Sequence, residues 1–426
     1  MKMQPLLEEL TWRGLLFQST EGIADALQSG PVTGYCGFDP TAPSLHVGNL
    51  VPVMGLLHLQ RAGNRPMILV GGGTGLIGDP SGKKSERTLN TPEIVAANVR
   101  GIRAQLEKFL SFDGPNAALV RDNAEWLTKL GAIEFMRDVG KHFTINYMLQ
   151  KESVKSRLET GISYTEFSYM LLQAYDFLEL YRRDGVTLQI GGSDQWGNMT
   201  AGMELIRRVE SGDANVATMP LVTTAAGTKF GKSEAGAVWL DAARTSPYQF
   251  YQFWVNTDDR DVGKFLRYFT LLDRAEIERL EVATAEHPER REAQRALAAD
   301  VTRRVHGDAA VSAVTEVSAF LFGKGDPRTL SAAALSALAS EIPAGRISRE
   351  PTLDSERVIE ALTTEPTALF KSKGEARRMI QQGGLYLNGE RIGLERQPIP
   401  AGQLLHGRYL LARKGARNYA LLEVES

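Results

Sequence analysis

The chain has 426 residues, which predicts two or three domains and not a single core. Hydrophobic content of 43%, charged content of 23% and a formal net charge of -2 fit a globular protein and exclude a uniformly basic one. Any nucleic-acid contact must therefore rest on a local basic patch. The single cysteine, Cys36, excludes an intrachain disulfide and a thiolate–zinc framework.

Residues 1–10 read as an acidic helix without an apolar core of signal-peptide length. No stretch reads as a membrane span, so the expectation is a soluble, cytoplasmic protein. Residues 32–38 then read as a strand, 50–62 as a helix and 66–71 as the next strand. Further strands are expected at 117–120 and 186–191. Strands separated by helices predict an α/β fold with a Rossmann-like parallel sheet. In such sheets ligands sit beyond the carboxyl ends of the strands, where Gly and polar residues follow each of these runs.

Two distant motifs stand out. The first is Pro40-Thr41-Ala42-Pro43-Ser44-Leu45-His46-Val47-Gly48-Asn49, which turns a strand into a helix. A helix start offers N–H groups and positive potential to an anion, and His46 beside it can donate to a phosphate oxygen. Gly48 leaves room for a base against the backbone. The second is Lys229-Phe230-Gly231-Lys232-Ser233, two lysines in a glycine-containing loop. Alone it is a solvated surface loop; beside the first motif it suits a lid over a leaving pyrophosphate.

Other glycine runs are deceptive. Gly73-Thr74-Gly75-Leu76-Ile77-Gly78 matches a dinucleotide fingerprint and raises a nicotinamide dehydrogenase as an alternative. Asp79-Pro80-Ser81-Gly82 follows at once, a turn where that fingerprint needs a helix. The run ending Gly82-Lys83-Lys84-Ser85 resembles a P-loop with its glycine spacing one residue short, and reads better as a basic loop offering Lys83 and Arg87 to phosphates. Gly191-Gly192-Ser193-Asp194-Gln195 follows a strand. It can let a ribose approach the backbone, with a carboxylate for its hydroxyls, or it is only a tight turn.

Alternation puts Tyr35, Gly37 and Asp39 on one side of the first strand. Tyr169, Gln173 and Asp176 are spaced i, i+4, i+7 and share one helix face. A phenol, an amide and a carboxylate buried together suggest a pocket for a polar aromatic ligand.

Residues 247–322 read as helical and 331–340 as an Ala/Ser-rich linker or weakly packed helix. Between Lys371 and Arg417 there are ten Lys or Arg against three Asp or Glu. The expected division is a catalytic domain over 1–245 with an inserted segment at about 90–185, a helical domain over 246–325, a linker over 326–350 and a small α+β unit over 351–426. No internal repeat is found.

In combination and order these motifs resemble the bacterial tyrosyl-tRNA synthetases, within the class I aminoacyl-tRNA synthetases. The likeness covers essentially the whole chain. Its carriers are Tyr35-Cys36-Gly37-Phe38-Asp39-Pro40-Thr41, His46-Val47-Gly48-Asn49, Leu76-Ile77-Gly78-Asp79-Pro80-Ser81-Gly82, Tyr169-Met170-Leu171-Leu172-Gln173-Ala174-Tyr175-Asp176, Gly192-Ser193-Asp194-Gln195 and Lys229-Phe230-Gly231-Lys232-Ser233. The resemblance implies activation of L-tyrosine by ATP, used as substrate with Mg2+, and transfer of tyrosine to the 3′ end of tRNA(Tyr). It implies no protein-bound cofactor and no protein metal site.

By residue match, Tyr35 and Asp176 would bind the phenolic hydroxyl, and Asp79, Tyr169 and Gln173 the ammonium group. Cys36, Gly37, Asp39, Gly48, Asn49, Gly192, Asp194, Gln195 and Lys232 would meet ATP or the adenylate. Thr41, His46, Lys83, Arg87, Lys229 and Lys232 would stabilise the departing pyrophosphate. Asn49 stands where the family often has a second histidine. Phe230-Gly231 replace the Met-Ser of the wider class. A homodimer through the inserted segment and an anticodon-side role for the helical domain over 246–325 are also implied. The tail from Phe370 to Gly389 resembles an RNA-binding domain of some ribosomal proteins, with Lys371, Lys373, Arg377 and Arg378 facing tRNA. An RNA-binding protein on a synthetase scaffold without catalysis is the competing reading.

Overall fold

A computed structural model describes residues 5–81, 89–155, 158, 161–228, 230–233, 236–323, 325–350, 352–393 and 398–425; for Lys232 and Ser233 it describes the backbone only. The chain divides into two compact units, one of residues 1–241 and 255–305, the other of residues 242–254 and 306–426.

The first unit is built on a six-stranded sheet. Its strands are β1 (Gln18–Ser19), β2 (Thr33–Phe38), β3 (Arg65–Val70), β4 (Leu119–Asp122), β5 (Val186–Gly192) and β6 (Asn215–Met219), in the order β1-β6-β5-β2-β3-β4. Only β1 runs antiparallel to its neighbour. β3, β5 and β6 are buried along nearly their whole length, as a parallel sheet covered on both faces requires. Strand order reverses between β2 and β5, the kind of switch point at whose carboxyl edge open parallel sheets bind ligands.

The crossover helices are α1 (Leu50–Arg61), α2 (Pro92–Leu106), α3 (Tyr164–Asp184) and α4 (Trp196–Glu210). α1 is apolar around most of its circumference, which suits a helix held in the core. α2 starts on Thr91, whose hydroxyl accepts from Ile94 N, followed by Pro92 at the first position. α3 starts on Ser163 in the same way, and Gly185 ends it at φ 63. A core of Tyr35, Met67, Leu69, Phe177, Ala174, Met199 and Val216 joins β2, β3 and β6 to α3 and α4. The glycine run at Gly73 leads into a single 3-10 turn, Thr74–Leu76, where the dinucleotide fold would need a helix.

The second unit holds a five-stranded sheet of β9 (Ala344–Ser348), β10 (Leu385–Leu387), β11 (Glu390–Arg391), β12 (Tyr409–Lys414) and β13 (Asn418–Glu425), ordered β11-β10-β12-β13-β9. Val358, Ile359, Phe370, Ala376 and Ile380 fill its core with Leu385, Leu410, Ala412 and Leu422. Residues 326–350, expected as a linker, contain a helix, Ala332–Ala339, with Ala334, Leu335 and Leu338 buried, and the edge strand β9.

Candidate active site

Three layers of polar side chains meet beyond the carboxyl ends of β2 and β5. The deepest is set by α3. Its i, i+4, i+7 spacing brings Tyr169, Gln173 and Asp176 onto the sheet side, and Asp176 and Tyr169 are buried there. Asp176 is 2% exposed and accepts from Trp126 Nε1 at 2.7 Å and Asn123 Nδ2 at 2.9 Å. Burial pushes its carboxyl up to about 8, against those two donors, which pull it down. Tyr35 on β2 lies edge-on to Phe177, ring centroids 5.2 Å apart. Its hydroxyl is buried without a hydrogen-bond partner among the described residues. Burial and the nearby Asp176 charge raise its titration well above the usual range.

The middle layer is a connected network. Asn123 Nδ2 also donates to Thr74 Oγ1 at 3.0 Å, and Thr74 Oγ1 donates to Asp39 Oδ1 at 2.8 Å. Asp39 Oδ2 accepts from the Tyr169 hydroxyl at 2.7 Å. Asp79 accepts from Gln195 Nε2 at 2.8 Å, and Asn198 Nδ2 donates to Gln173 Oε1 and Gln195 Oε1, both at 3.2 Å. Burial first, then the charges of Asp39, Asp79 and Asp176, raise Tyr169 well above the ordinary phenol. Carboxylates gathered around one buried phenol favour a cationic ligand group.

The outer layer joins the two distant motifs. His46 and Trp239 form an antiparallel bridge, Val47 N donates to Val238 O at 2.9 Å, and Leu240 N donates to Leu45 O at 2.9 Å. Beside them Lys232–Ser233 (β7) and Gly236–Ala237 (β8) make a hairpin, which places the Lys232 backbone next to the His46 turn. Gly231 has φ +85, and a Cβ there would lie 3.1 Å from Val47 Cγ2 and 3.3 Å from Gly48 N. Phe230 anchors the loop by stacking on Phe269 and lying edge-on to Phe265, both on Asp259–Phe269 (α5).

His46 Nδ1 accepts from Gly48 N at 3.1 Å, which assigns the ring hydrogen of the neutral form to Nε2. Asn49 Oδ1 accepts from His46 N at 3.0 Å, so this side chain shapes the turn through its oxygen. A Cβ on Gly48 would come 2.9 Å from the His46 ring, so the glycine lets the imidazole fold back as well as clearing space.

Most predicted positions therefore lie at this edge. Thr41 is exposed on the same turn, and Gly37 is exposed at the end of β2, where a Cβ would meet nothing within 4 Å. Gly192 ends β5, and Asp194 and Gln195 sit in the turn after it. Cys36 points the other way into the core, and burial pushes its thiol up to about 12. Lys83, Arg87 and Lys229 lie outside the described residues, as does the Lys232 side chain. Asn123, Trp126, Thr74 and Asn198 were not read from the sequence. The usable signal for Asn123 was its place just past the end of β4.

In the second unit, Lys373–Gln381 (α6) carries three of the expected basic residues, Lys373, Arg377 and Arg378, and Lys371 lies just before its Ser372 cap. Lys373 pairs with Glu360 at 2.9 Å and Arg377 with Glu356 at 2.6 Å. Lys371 and Arg378 are exposed, and Arg378 makes no ion pair with a described residue. Exposed pairs are worth little, so phosphates can displace both acidic partners.

Residues 27–323 match the family model of class I tRNA synthetases (W and Y), and residues 335–422 match that of the tyrosine–tRNA ligase SYY-like C-terminal domain. A tyrosine–tRNA ligase of Anaeromyxobacter dehalogenans is 54% identical over 422 residues, covering 99% of this chain and 100% of that one. One from Roseiflexus castenholzii is 52% identical over 426 residues, covering 99% and 100%. Among solved structures, a C-terminally truncated mitochondrial tyrosyl-tRNA synthetase of Aspergillus nidulans superposes with a TM-score of 0.69 at 30% identity, covering 75% of this chain and 95% of that one.

Proposed function

The chain belongs to the class I tRNA synthetases and, within them, to the tyrosine–tRNA ligases, and from that premise we propose how its own residues divide the work. The enzyme activates L-tyrosine with ATP and transfers it to tRNA. In the first step a tyrosine carboxylate oxygen attacks the α-phosphorus, the bond to the β-phosphate breaks, and pyrophosphate leaves. In the second, a hydroxyl of the 3′-terminal adenosine takes the tyrosyl group and AMP leaves. The nucleophile belongs to the substrate, so the protein contributes positioning and charge stabilisation.

Tyr35 and Asp176 receive the phenol. The unpartnered Tyr35 hydroxyl and the Asp176 carboxyl are the paired groups that a phenolic O–H satisfies and a phenyl ring does not. Asp79, Tyr169 and Gln173 receive the ammonium. Gly37, Asp39, Gly48, Asn49, Gly192, Asp194 and Gln195 line the adenylate, with Cys36 supporting the strand from behind. Thr41 and His46, with Lys83, Arg87, Lys229 and Lys232, neutralise pyrophosphate. The observation that carries this reading is the bridge of His46 to Trp239, which brings both phosphate motifs to one edge.

Mg2+ would arrive on the triphosphate as its counter-ion, held mainly by the substrate's phosphate oxygens. Among the described residues no helix is long and apolar enough to cross a membrane. The inserted segment exposes Ile133 (72%), Met136, Ile145 and Tyr164 (74%), which fits burial against a second copy in a homodimer. Lys371, Lys373, Arg377 and Arg378 serve tRNA phosphates. Tyrosine-dependent exchange of labelled pyrophosphate into ATP tests the enzymatic reading, and RNA binding without exchange would favour the non-catalytic one.

A further inference from the structure

The turn carrying Thr41 and His46 has no regular structure between β2 and the 3-10 turn Val47–Asn49. α2 holds it from outside. Asn98, Gly101 and Gln105 share one face of that helix at i, i+3, i+7. Asn98 Nδ2 donates to Pro40 O at 2.9 Å, in a buried contact. A Cβ on Gly101 would sit 2.3 Å from Pro43 O, so the glycine is what lets the helix approach. Glycine inside a helix is otherwise unfavourable.

Gln105 makes the remaining contacts. Its Oε1 accepts from Leu45 N at 2.9 Å, and its Nε2 donates to Ser44 Oγ at 3.0 Å. Ser44 is 3% exposed; its hydroxyl donates to Leu45 O at 2.7 Å and accepts from Asp241 N at 3.2 Å. One donor and two acceptor sites are thereby all used. Asp241 ends the segment that begins with the second motif. The Ser44 hydroxyl is thus a joint between α2, the His46 turn and the chain beyond the Lys232 hairpin.

We infer that Gln105, acting through Ser44, is a positioning residue for adenylate formation: it sets the spacing between the two phosphate-facing segments. The inference rests on the reading that His46 acts on the leaving pyrophosphate. It assigns Gln105 no contact with either substrate. Removing its amide leaves Leu45 N and one side of Ser44 unpartnered, and the turn relaxes away from the hairpin.

The test uses the full chain with Gln105→Met, Gln105→Glu, Gly101→Ala and His46→Ala. The readouts are kcat and KM for tyrosine-dependent ATP–pyrophosphate exchange, tyrosine Kd and thermal midpoint. Gln105→Met should lower kcat on the order of 10-fold to 100-fold, the scale of a small misplacement, with tyrosine Kd unchanged. Gln105→Glu keeps the acceptor for Leu45 N and should recover most of the rate. Gly101→Ala should show the same kcat loss while its helix gains propensity. Wild-type exchange in Gln105→Met, with exchange lost in His46→Ala, overturns the inference alone. Wild-type exchange in His46→Ala overturns the underlying reading and the inference with it. Parallel loss of exchange, tyrosine binding and thermal midpoint in Gln105→Met, not recovered by Gln105→Glu, shows a structural role and also overturns it.

Discussion

The backbone of His46 pairs antiparallel with that of Trp239, and their rings lie 6.2 Å apart, centroid to centroid. That single bridge sutures the turn after β2 to the strand-like segment following the Lys232 hairpin. It makes two remote motifs one surface. Gly231, Val47 and Gly48 are in near contact beside it, so a displacement of either motif is felt by the other.

This contact makes Gly231 sensitive. Its φ of +85 penalises any β-carbon by roughly 1–2 kcal/mol before the crowding against Gly48 is counted. Gly231→Ser, although it restores the residue of the wider class, should raise KM for ATP and lower exchange by about tenfold, with little change in tyrosine binding. Unaltered exchange kinetics would show that the two segments are not held at this distance in solution.

Tyr35→Phe separates binding from stability. The hydroxyl it removes is buried and unpartnered within the described protein. An unsatisfied buried hydroxyl costs about 1–3 kcal/mol, so the free enzyme should melt at the same temperature or higher. Tyrosine should bind about fivefold to tenfold more weakly, and discrimination against phenylalanine should fall. A lower melting temperature with unchanged tyrosine affinity would refute the assignment.

Asp176 should make tyrosine binding depend on pH. Burial holds its carboxyl at about 8 in the free protein, so at neutrality it is largely protonated. A bound phenol that donates to it favours the ionised form, so binding releases a proton. Affinity should rise from about pH 6 to about pH 8 and then level, and Asp176→Asn should flatten the profile. The stability sign is opposite. A carboxyl raised on folding stabilises fully only below its ordinary range, and that contribution drains away as pH rises towards about 8. Wild type should therefore lose ground to Asp176→Asn over that interval in denaturant melts. Calorimetry in two buffers of different ionisation heat checks the proton release.

Arg378 and Arg377 should differ in their partners but not in direction. Arg377 would have to give up Glu356 to meet a phosphate, whereas Arg378 makes no ion pair with a described residue. Arg378→Ala should weaken tRNA binding and reduce the slope of log K against log salt by about 1. Arg377→Ala should do the same by less. Neither should alter ATP–pyrophosphate exchange, which uses the other unit. An effect on exchange would contradict that division.

Much of this site was legible because its residues sit where local pattern and edge rules coincide. β2, α1, β3 and β5 each read as an apolar run followed by Gly or polar residues, and the sheet put those ends together. Tyr169, Gln173 and Asp176 were found by helical spacing alone. What escaped was long-range. Asn123 and Trp126 follow the short strand β4, and only its pairing with β3 brings them to Asp176. Ser44 and Gln105 meet across the turn through contacts with no sequence period. β6 was missed because Asn215, Ala217 and Thr218 interrupt its apolar run, although all five of its residues are buried in the fold. Residues 331–340 read as an Ala/Ser-rich linker or a weakly packed helix; the helix is what forms, and it buries Ala334, Leu335 and Leu338.

The most direct measurement is the rate of tyrosine-dependent pyrophosphate exchange in wild type, His46→Ala and Lys232→Ala, with tyrosine Kd measured alongside. The convergence of the two motifs predicts that each substitution lowers exchange by about 10²-fold, while tyrosine affinity stays within about twofold of wild type. Exchange at the wild-type rate in either variant, or a loss of tyrosine binding that accounts for the whole effect, would contradict it.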